Sequence, residues 1–304
     1  GEMIIYKNLN IHKKHRHSVI AIGNFDGIHL GHQKVLKHAR QKAKKKKLKF
    51  GLVTFEPIPV MFFNNKIKSH RINNIHQKKS YLKKLNLDFL IIINFNKSFS
   101  KLSAKEFIKK IIFMKLNSKY VFVSKNFKFG NKRLGNIKTL KNYEKNYSYK
   151  VIITPPLKKS KKIISSTLIR RNILKGNFGR VKNLLGRNWC VEGEVIKGLQ
   201  RGRKMGFPTC NLKLNNYIVP RLGVYSVIVK TNSFKRRGIA NIGYRPTFQG
   251  RNLLLEVNIF GINVNLYKKI IKVEFTKFIR AEKFFKGITQ LKQQIEKDII
   301  IAKK

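Results

Sequence analysis

Acidic side chains are nearly missing from this chain: 13 Asp and Glu stand against 68 Lys and Arg, a formal charge of +55 over 304 residues. An acid embedded in an apolar run is therefore informative. Cysteine is almost absent as well. Cys190 and Cys210 alone make neither a disulfide framework nor a zinc cluster, which fits a reducing cytoplasm. No apolar run reaches the roughly 18 residues that span a bilayer, and the N-terminus lacks the apolar stretch of a signal peptide. No membrane association is expected. What is abundant is positive charge, which draws polyanions. One reading is a nucleic-acid-binding protein. Yet the lysines run along the whole chain, and no basic-plus-aromatic platform of an RNA module stands out. Lys, Ile and Asn, all with AT-rich codons, are abundant together. Mutational bias accounts for the charge, and only weak, salt-sensitive nucleic-acid binding is expected.

Apolar residues make up 42%, enough to build cores, and the length suggests two domains. The first half alternates strand-like and helix-like segments. Ser18–Gly23, Leu48–Phe55, Asp88–Asn94, Tyr120–Ser124 and Lys150–Thr154 read as strands; Gly31–Lys46 and Gln77–Leu85 read as helices. Ser103 with Glu106 three residues on is a capping-box pattern. Such alternation predicts a parallel α/β sheet with right-handed crossovers. Near Gly186 the pattern changes to short β-rich runs, VEGEVI, GVYSVIVK, LLLEVNIF and IIKVEFTKFI, closed by a helix over Thr289–Lys303. This predicts a small all-β barrel with a C-terminal helix. Domains are expected at 1–186 and 187–304.

The string Gly23-Asn24-Phe25-Asp26-Gly27-Ile28-His29-Leu30-Gly31-His32 follows a strand and opens a helix. Backbone N–H groups and the helix dipole there suit phosphates. Glycines 23, 27 and 31 allow close backbone approach. His29 and His32 lie three apart, so both imidazoles can reach one oxyanion and stabilise charge growing on it. Ile164-Ser165-Ser166-Thr167-Leu168-Ile169-Arg170 offers helix-capping hydroxyls and a positive clamp. Between them lies Val123-Ser124-Lys125-Asn126-Phe127-Lys128-Phe129-Gly130, and Phe55-Glu56-Pro57 ends the second strand. In the β-rich half, Gly202-Arg203-Lys204-Met205-Gly206-Phe207-Pro208-Thr209-Cys210-Asn211-Leu212 puts Thr209 and Asn211 on one face of an extended segment, with Cys210 pointing away. Glu256 sits in Leu255-Glu256-Val257-Asn258.

The first string resembles the phosphate-binding signature of the HxGH nucleotidyltransferase superfamily, and in particular the N-terminal module of bacterial bifunctional riboflavin kinase/FAD synthetases. The 164–170 string resembles the ISSTxIR motif of that family, and 123–130 its GxNFxFG stretch, with Ser124 in place of glycine. The 202–212 string resembles the GRxLGFPTANL motif of riboflavin kinases. Pro220–Tyr225, Ala240–Phe248 and Phe278–Phe284 resemble its PxxGVY, NIGxRPTF and FIRxExxF segments. Nearly all of residues 3–304 is covered.

The resemblance implies two activities: ATP-dependent phosphorylation of riboflavin to FMN, and adenylyl transfer from ATP to FMN giving FAD and pyrophosphate. It implies Mg²⁺ and ATP as cofactor and co-substrate. It gives ATP and its phosphates to Gly23, Phe25, Asp26, His29, Gly31, His32, Asn126, Ser165, Ser166, Thr167 and Arg170 in the first domain. Gly202, Arg203, Gly206 and Pro208 have the same role in the second. Thr209 and Asn211 take the metal, Asn241, Arg245 and Arg280 the flavin, and Glu256 accepts the proton of the attacking hydroxyl. Asn258 and Gly261 replace a His and an Asp of the family pattern. Trp189 reads as core rather than flavin stack, and His12, His15 and His17 as a solvated basic loop rather than a metal site. Three alternatives stand beside this reading: another HxGH nucleotidyltransferase, a chain keeping one activity of the two, and the basic nucleic-acid binder.

Overall fold

Strands that read as unbroken apolar runs are buried on both faces, as parallel sheets are. The computed structural model describes residues 2–198, 206–247 and 250–304, packed as two units. The first unit, Gly1–Lys68 with Ile75–Ser165, is built on a six-stranded all-parallel sheet. Its strands are β1 (Ile4–Tyr6), β2 (Val19–Ile22), β3 (Phe50–Glu56), β4 (Phe89–Asn94), β5 (Tyr120–Val123) and β6 (Lys150–Ile153), in the order β1-β4-β3-β2-β5-β6. Alternation within the strands divides the core. Ile20, Ile22, Val53, Phe55, Ile91 and Val121 join one cluster; Val19, Ala21, Leu52, Leu90, Ile92 and Phe122 join the other.

The expected helices form at α1 (Leu30–Lys46) and Ile75–Lys83, and the Ser103–Glu106 capping box closes with both of its bonds. The short strand β1 and a two-residue hairpin, β7 (Lys158–Lys159) with β8 (Lys162–Ile163), went unread in the sequence, being too short to show a period. One loop reading needs correction. His15 is buried, its Nδ1 2.7 Å from the Tyr6 hydroxyl and its ring stacked on Phe89. Burial and the nearby Lys14 charge lower its pKa. Among the described residues no metal-binding group of His, Cys, Asp or Glu occurs.

The second unit, Ser69–Asn74 with Ser166–Lys304, holds a six-stranded antiparallel sheet. Its strands are β9 (Trp189–Glu194), β10 (Cys210–Lys213), β11 (Gly223–Lys230), β12 (Lys235–Thr247), β13 (Gly250–Ile259) and β14 (Ile270–Ala281). Their order is β10-β13-β12-β11-β14-β9, and a bridge between Ile196 and Asn211 brings the two ends together into a near-barrel. The C-terminal helix, Ile288–Lys303, lays Ile295, Ile299 and Ala302 against Val224 and Ile239. Trp189 is core: it is 1% exposed, stacks on Phe178 and donates Nε1–H to the Ile72 carbonyl.

Packing groups the chain at Ser165/Ser166, upstream of the boundary that the sequence pattern suggests at Gly186. Helices Ser166–Leu174 and Phe178–Leu185 bury Phe178, Val181 and Leu184 in the second unit. Segment 69–74 also belongs there, with Ile218 N–H donating to the Arg71 carbonyl at 2.8 Å. No helix of the described residues is long and apolar enough to cross a membrane.

Candidate functional site

In the first unit the string after β2 forms a turn and then starts α1. His29 is the N-cap of α1, and His32 is the third residue of its first turn. The two cap each other. The His32 N–H donates to His29 Nδ1 at 3.1 Å, and the His29 N–H donates to His32 Nδ1 at 3.3 Å. A ring nitrogen that accepts a backbone N–H carries no proton, so in the neutral rings both protons sit on Nε2. The rings stack at 3.5 Å between centroids, so both imidazoles sit together at a helix N-terminus. Gly31 makes room for this pair. A Cβ there would meet His29 Cε1 at 2.8 Å. Phe25 and Asp26 are buried under the turn. Ser124 does not disturb its own turn, since the Phe127 N–H donates to the Ser124 carbonyl at 3.1 Å. Asn126 lies exposed in that turn, between the buried Phe127 and the β5 strand end.

The second phosphate string straddles the division between units. Ser165 ends the first; Ser166, Thr167 and Arg170 open the second, where Arg170 Nε–H donates to the His70 carbonyl at 3.0 Å.

In the second unit the functional side chains come from different strands and meet through register. Asn211 on β10 pairs with Glu256 on β13, which pairs with Asn241 on β12. Directly opposed residues share a sheet face, so the two amides flank the carboxylate. The same row continues through Val224 to Arg280. Thr209 and Asn211 line a cleft with Val195, Ile196 and Tyr267. Gly198 lies against the Asn211 amide, where a Cβ would come within 2.1 Å of Nδ2. Asn241 Oδ1 is buried with no hydrogen-bond partner among the described residues. Asn258, departing from the family pattern, does structural work: its Nδ2–H donates to the Pro208 carbonyl at 2.8 Å and ties the 206–211 segment to β13. Gly261, the other departure, adopts a left-handed φ of 73°. Gly202 and Arg203 lie outside the described residues. Gly206 and Pro208 line a second cleft with Asn258 and Lys303.

Two of the residues expected at the flavin also pair with carboxylates of this chain. Arg245 Nε contacts Glu256 Oε1 at 2.8 Å while its NH2 reaches Glu282 at 3.2 Å. Burial pulls the Arg245 pKa down, but the two carboxylates outweigh it and the net shift is upward. Arg280 gives Nε and NH2 to Asp298, a carboxylate 1% exposed on the C-terminal helix. Its guanidinium fastens that helix to β14. Glu282 stood out only as part of the FIRxExxF-like segment, and Asp298 was not singled out in the sequence. Asp298 had a signal: it occupies a buried position among Ile295, Ile299 and Ala302 on an otherwise apolar stripe.

A parallel α/β unit with a histidine-capped phosphate turn, in one chain with a near-barrel that holds one carboxylate between two amides, defines a two-module nucleotide-dependent transferase. Two family models cover almost the whole chain: FAD synthetase over residues 11–168 and riboflavin kinase over residues 185–304. The chain belongs to the bifunctional riboflavin kinase/FMN adenylyltransferase family. It is 43% identical over 299 residues to a protein of that name from Buchnera aphidicola subsp. Schizaphis graminum, covering 97% of this chain and 96% of the relative. A relative from Haemophilus influenzae is 38% identical, with 93% and 92% covered. A solved structure from Streptococcus pneumoniae, described as a macrolide-efflux protein, matches with a TM-score of 0.86 and 33% identity. It covers 100% of this chain and 99% of its own.

Proposed function

We propose that the chain converts riboflavin to FMN in its barrel and FMN to FAD on its parallel sheet, consuming ATP in both steps. The observation that carries the second step is the reciprocal capping of His29 and His32, which presents paired donors at a helix N-terminus. A phosphate oxygen of FMN attacks the α-phosphorus of ATP, the bond to the β-phosphate oxygen breaks, and pyrophosphate leaves. The two Nε2–H groups meet the charge that grows on the phosphate oxygens. Gly23, Phe25, Asp26 and Gly31 shape the turn. The assignments of Asn126, Ser165, Ser166, Thr167 and Arg170 to ATP rest on the sequence likeness.

In the kinase step the flavin hydroxyl attacks the γ-phosphorus, ADP leaves, and Glu256 takes the hydroxyl proton. Asn241 Oδ1, buried and unpaired, is placed to accept from a flavin hydroxyl. Arg245 holds the carboxylate in place by its contact at Oε1. Thr209 and Asn211 offer hard oxygen donors of the kind Mg²⁺ takes together with substrate phosphates and water. The bare Gly198 beside the Asn211 amide keeps that approach open. When bound, the ion neutralises phosphate charge. Both thiols are pushed up by burial, Cys190 to about 12 and Cys210 to about 11, so neither is a ready nucleophile, and a reducing cytoplasmic setting suits them.

Incubation with riboflavin, ATP and Mg²⁺, followed by chromatographic separation of the flavins, tests the proposal. FMN should appear first and FAD should follow. FMN without FAD, or neither product, would reject one module or both.

A further inference from the structure

A chain with 68 Lys and Arg keeps its lysines at the surface with a single exception among the described residues. Lys78, 4% exposed, sits in helix Ile75–Lys83 of the first unit. Its ammonium donates to the Asn24 carbonyl and, at 2.8 Å, to Thr54 Oγ1. Thr54 is wholly buried near the end of β3 and donates its own hydroxyl to the same Asn24 carbonyl at 3.1 Å. One carbonyl of the phosphate turn thus receives two donors, one of them a buried cation. A lysine head taken out of water needs hydrogen-bond partners, and these two tie it to the phosphate turn.

The geometry of the turn shows that task. Phe25, Gly27 and Ile28 have φ of 49°, 95° and 43°, so two residues with side chains are held in the left-handed region. That conformation costs roughly 1–2 kcal/mol per such residue. Runs of this kind converge backbone N–H groups into an anion-binding concavity. In a trans peptide the C=O and N–H point opposite ways. Fixing the Asn24 carbonyl downward onto Lys78 therefore turns the Phe25 N–H upward, away from the ammonium and onto the other face of the turn.

We propose that Lys78 is a positioning residue for adenylyl transfer: it locks the Asn24–Phe25 peptide so that the turn presents its N–H groups to the ATP phosphates. This rests on the reading of residues 23–32 as the ATP phosphate turn. Lys78 touches the turn and not the reacting atoms, so its loss acts on phosphate affinity rather than on the hydroxyl chemistry of the other unit.

The test is Lys78→Met in the full chain, assayed with supplied FMN. We expect kcat/KM for ATP to fall about 10²-fold, the scale of one preorganised donor. Inhibition by added inorganic pyrophosphate should weaken in parallel, KM for FMN should stay near the parent value, and FMN formation from riboflavin should persist in the same preparation. Thr54→Val should shift the ATP term the same way but less, and Thr54→Ser should restore it. Parent kcat/KM for ATP in Lys78→Met overturns the proposal. So does an equal loss for ATP and FMN, which is what general loosening of the unit would give. If Lys78→Met does not fold, the Thr54 pair decides: equal ATP terms for Val and Ser overturn it. His29→Ala run alongside separates the two claims. If that variant loses FAD formation and Lys78→Met does not, Lys78 falls and the phosphate turn stands. If neither does, the turn reading falls as well.

Discussion

The two units hold their chemistry in opposite ways. In the parallel sheet the donors come from one continuous string, residues 23–32, placed where a strand ends and a helix begins. In the near-barrel they come from three strands, with Asn211, Glu256 and Asn241 more than ten residues apart in sequence yet adjacent in register. A parallel sheet gathers its strand ends at one edge, so a single loop can carry a site. An antiparallel barrel gathers side chains across its ladders, so its site depends on every pairing being right. Damage to the first site should be local, whereas damage to the second can arrive through the scaffold.

The contrast is sharpest in the kinase base. Glu256→Gln keeps the shape and removes the proton acceptor, so FMN formation should fall by roughly 10²–10⁴. FAD formation from supplied FMN should continue. Both half-reactions are measured in one preparation. Loss of both would break the comparison, because it would mean the units are not chemically independent.

Next comes the scaffold route. Asp298→Ala leaves Arg280 without its carboxylate at a side chain only 12% exposed. Breaking a buried pair typically costs about 3–5 kcal/mol. The second unit should lose its urea midpoint and its kinase activity together, although Asp298 lies on the C-terminal helix and not in the row. An unchanged midpoint would show that the helix is not anchored by this pair. The boundary is tested similarly. A fragment 187–304 lacks Phe178, which stacks on Trp189 with centroids 5.6 Å apart. Losing a buried Phe typically costs about 3–5 kcal/mol, so 166–304 should have the higher urea midpoint. Equal midpoints would favour a boundary at Gly186.

On the other side, His29→Ala removes one of two donors and should lower FAD formation by about 10²–10³, with FMN formation and the melting of the second unit unaltered. Loss of FMN formation would show that the turn serves more than its own unit.

The same contrast explains what the sequence disclosed. Strand–helix alternation and the 23–32 string were legible because period and motif are local properties. The barrel row was not: nothing in VEGEVI or LLLEVN says which residue faces which, and only the likeness to known kinases brought Thr209, Asn211 and Glu256 together. Arg280 shows what that likeness leaves out. Its motif position implies a ligand contact and says nothing of Asp298, eighteen residues further on, with which it pairs. The helices over 166–185 were assigned by proximity in sequence, while their apolar faces, with Val181, Leu184 and Leu185, decide where they pack. Lys78 and His15 were missed for one reason: polar residues at positions that pack inward break the pattern by which inward positions are recognised.

The smallest expected effect distinguishes the units by acid sensitivity. His15 is buried, and desolvation together with the Lys14 charge lowers its pKa below the ordinary 6.5. Unfolding releases it to that ordinary value, so below about pH 6.5 the unfolded chain binds a proton that the folded chain refuses. The stability His15 allows is therefore complete above pH 6.5 and declines as pH falls through the window between the unfolded and folded values. The cost grows at up to about 1.4 kcal/mol per pH unit. Among the described residues the second unit buries no histidine, since His70 is only half-buried. Urea midpoints of the two units, followed by separate probes from pH 7.5 to 5.5, should diverge, with the first unit losing ground. His15→Gln keeps a polar group near the Tyr6 hydroxyl, 2.7 Å from Nδ1 in the parent, and removes the titration. It should flatten the slope of the first unit in that window, whatever it does to stability at pH 7.5. A variant that retains the full slope would move the acid sensitivity from His15 to another group.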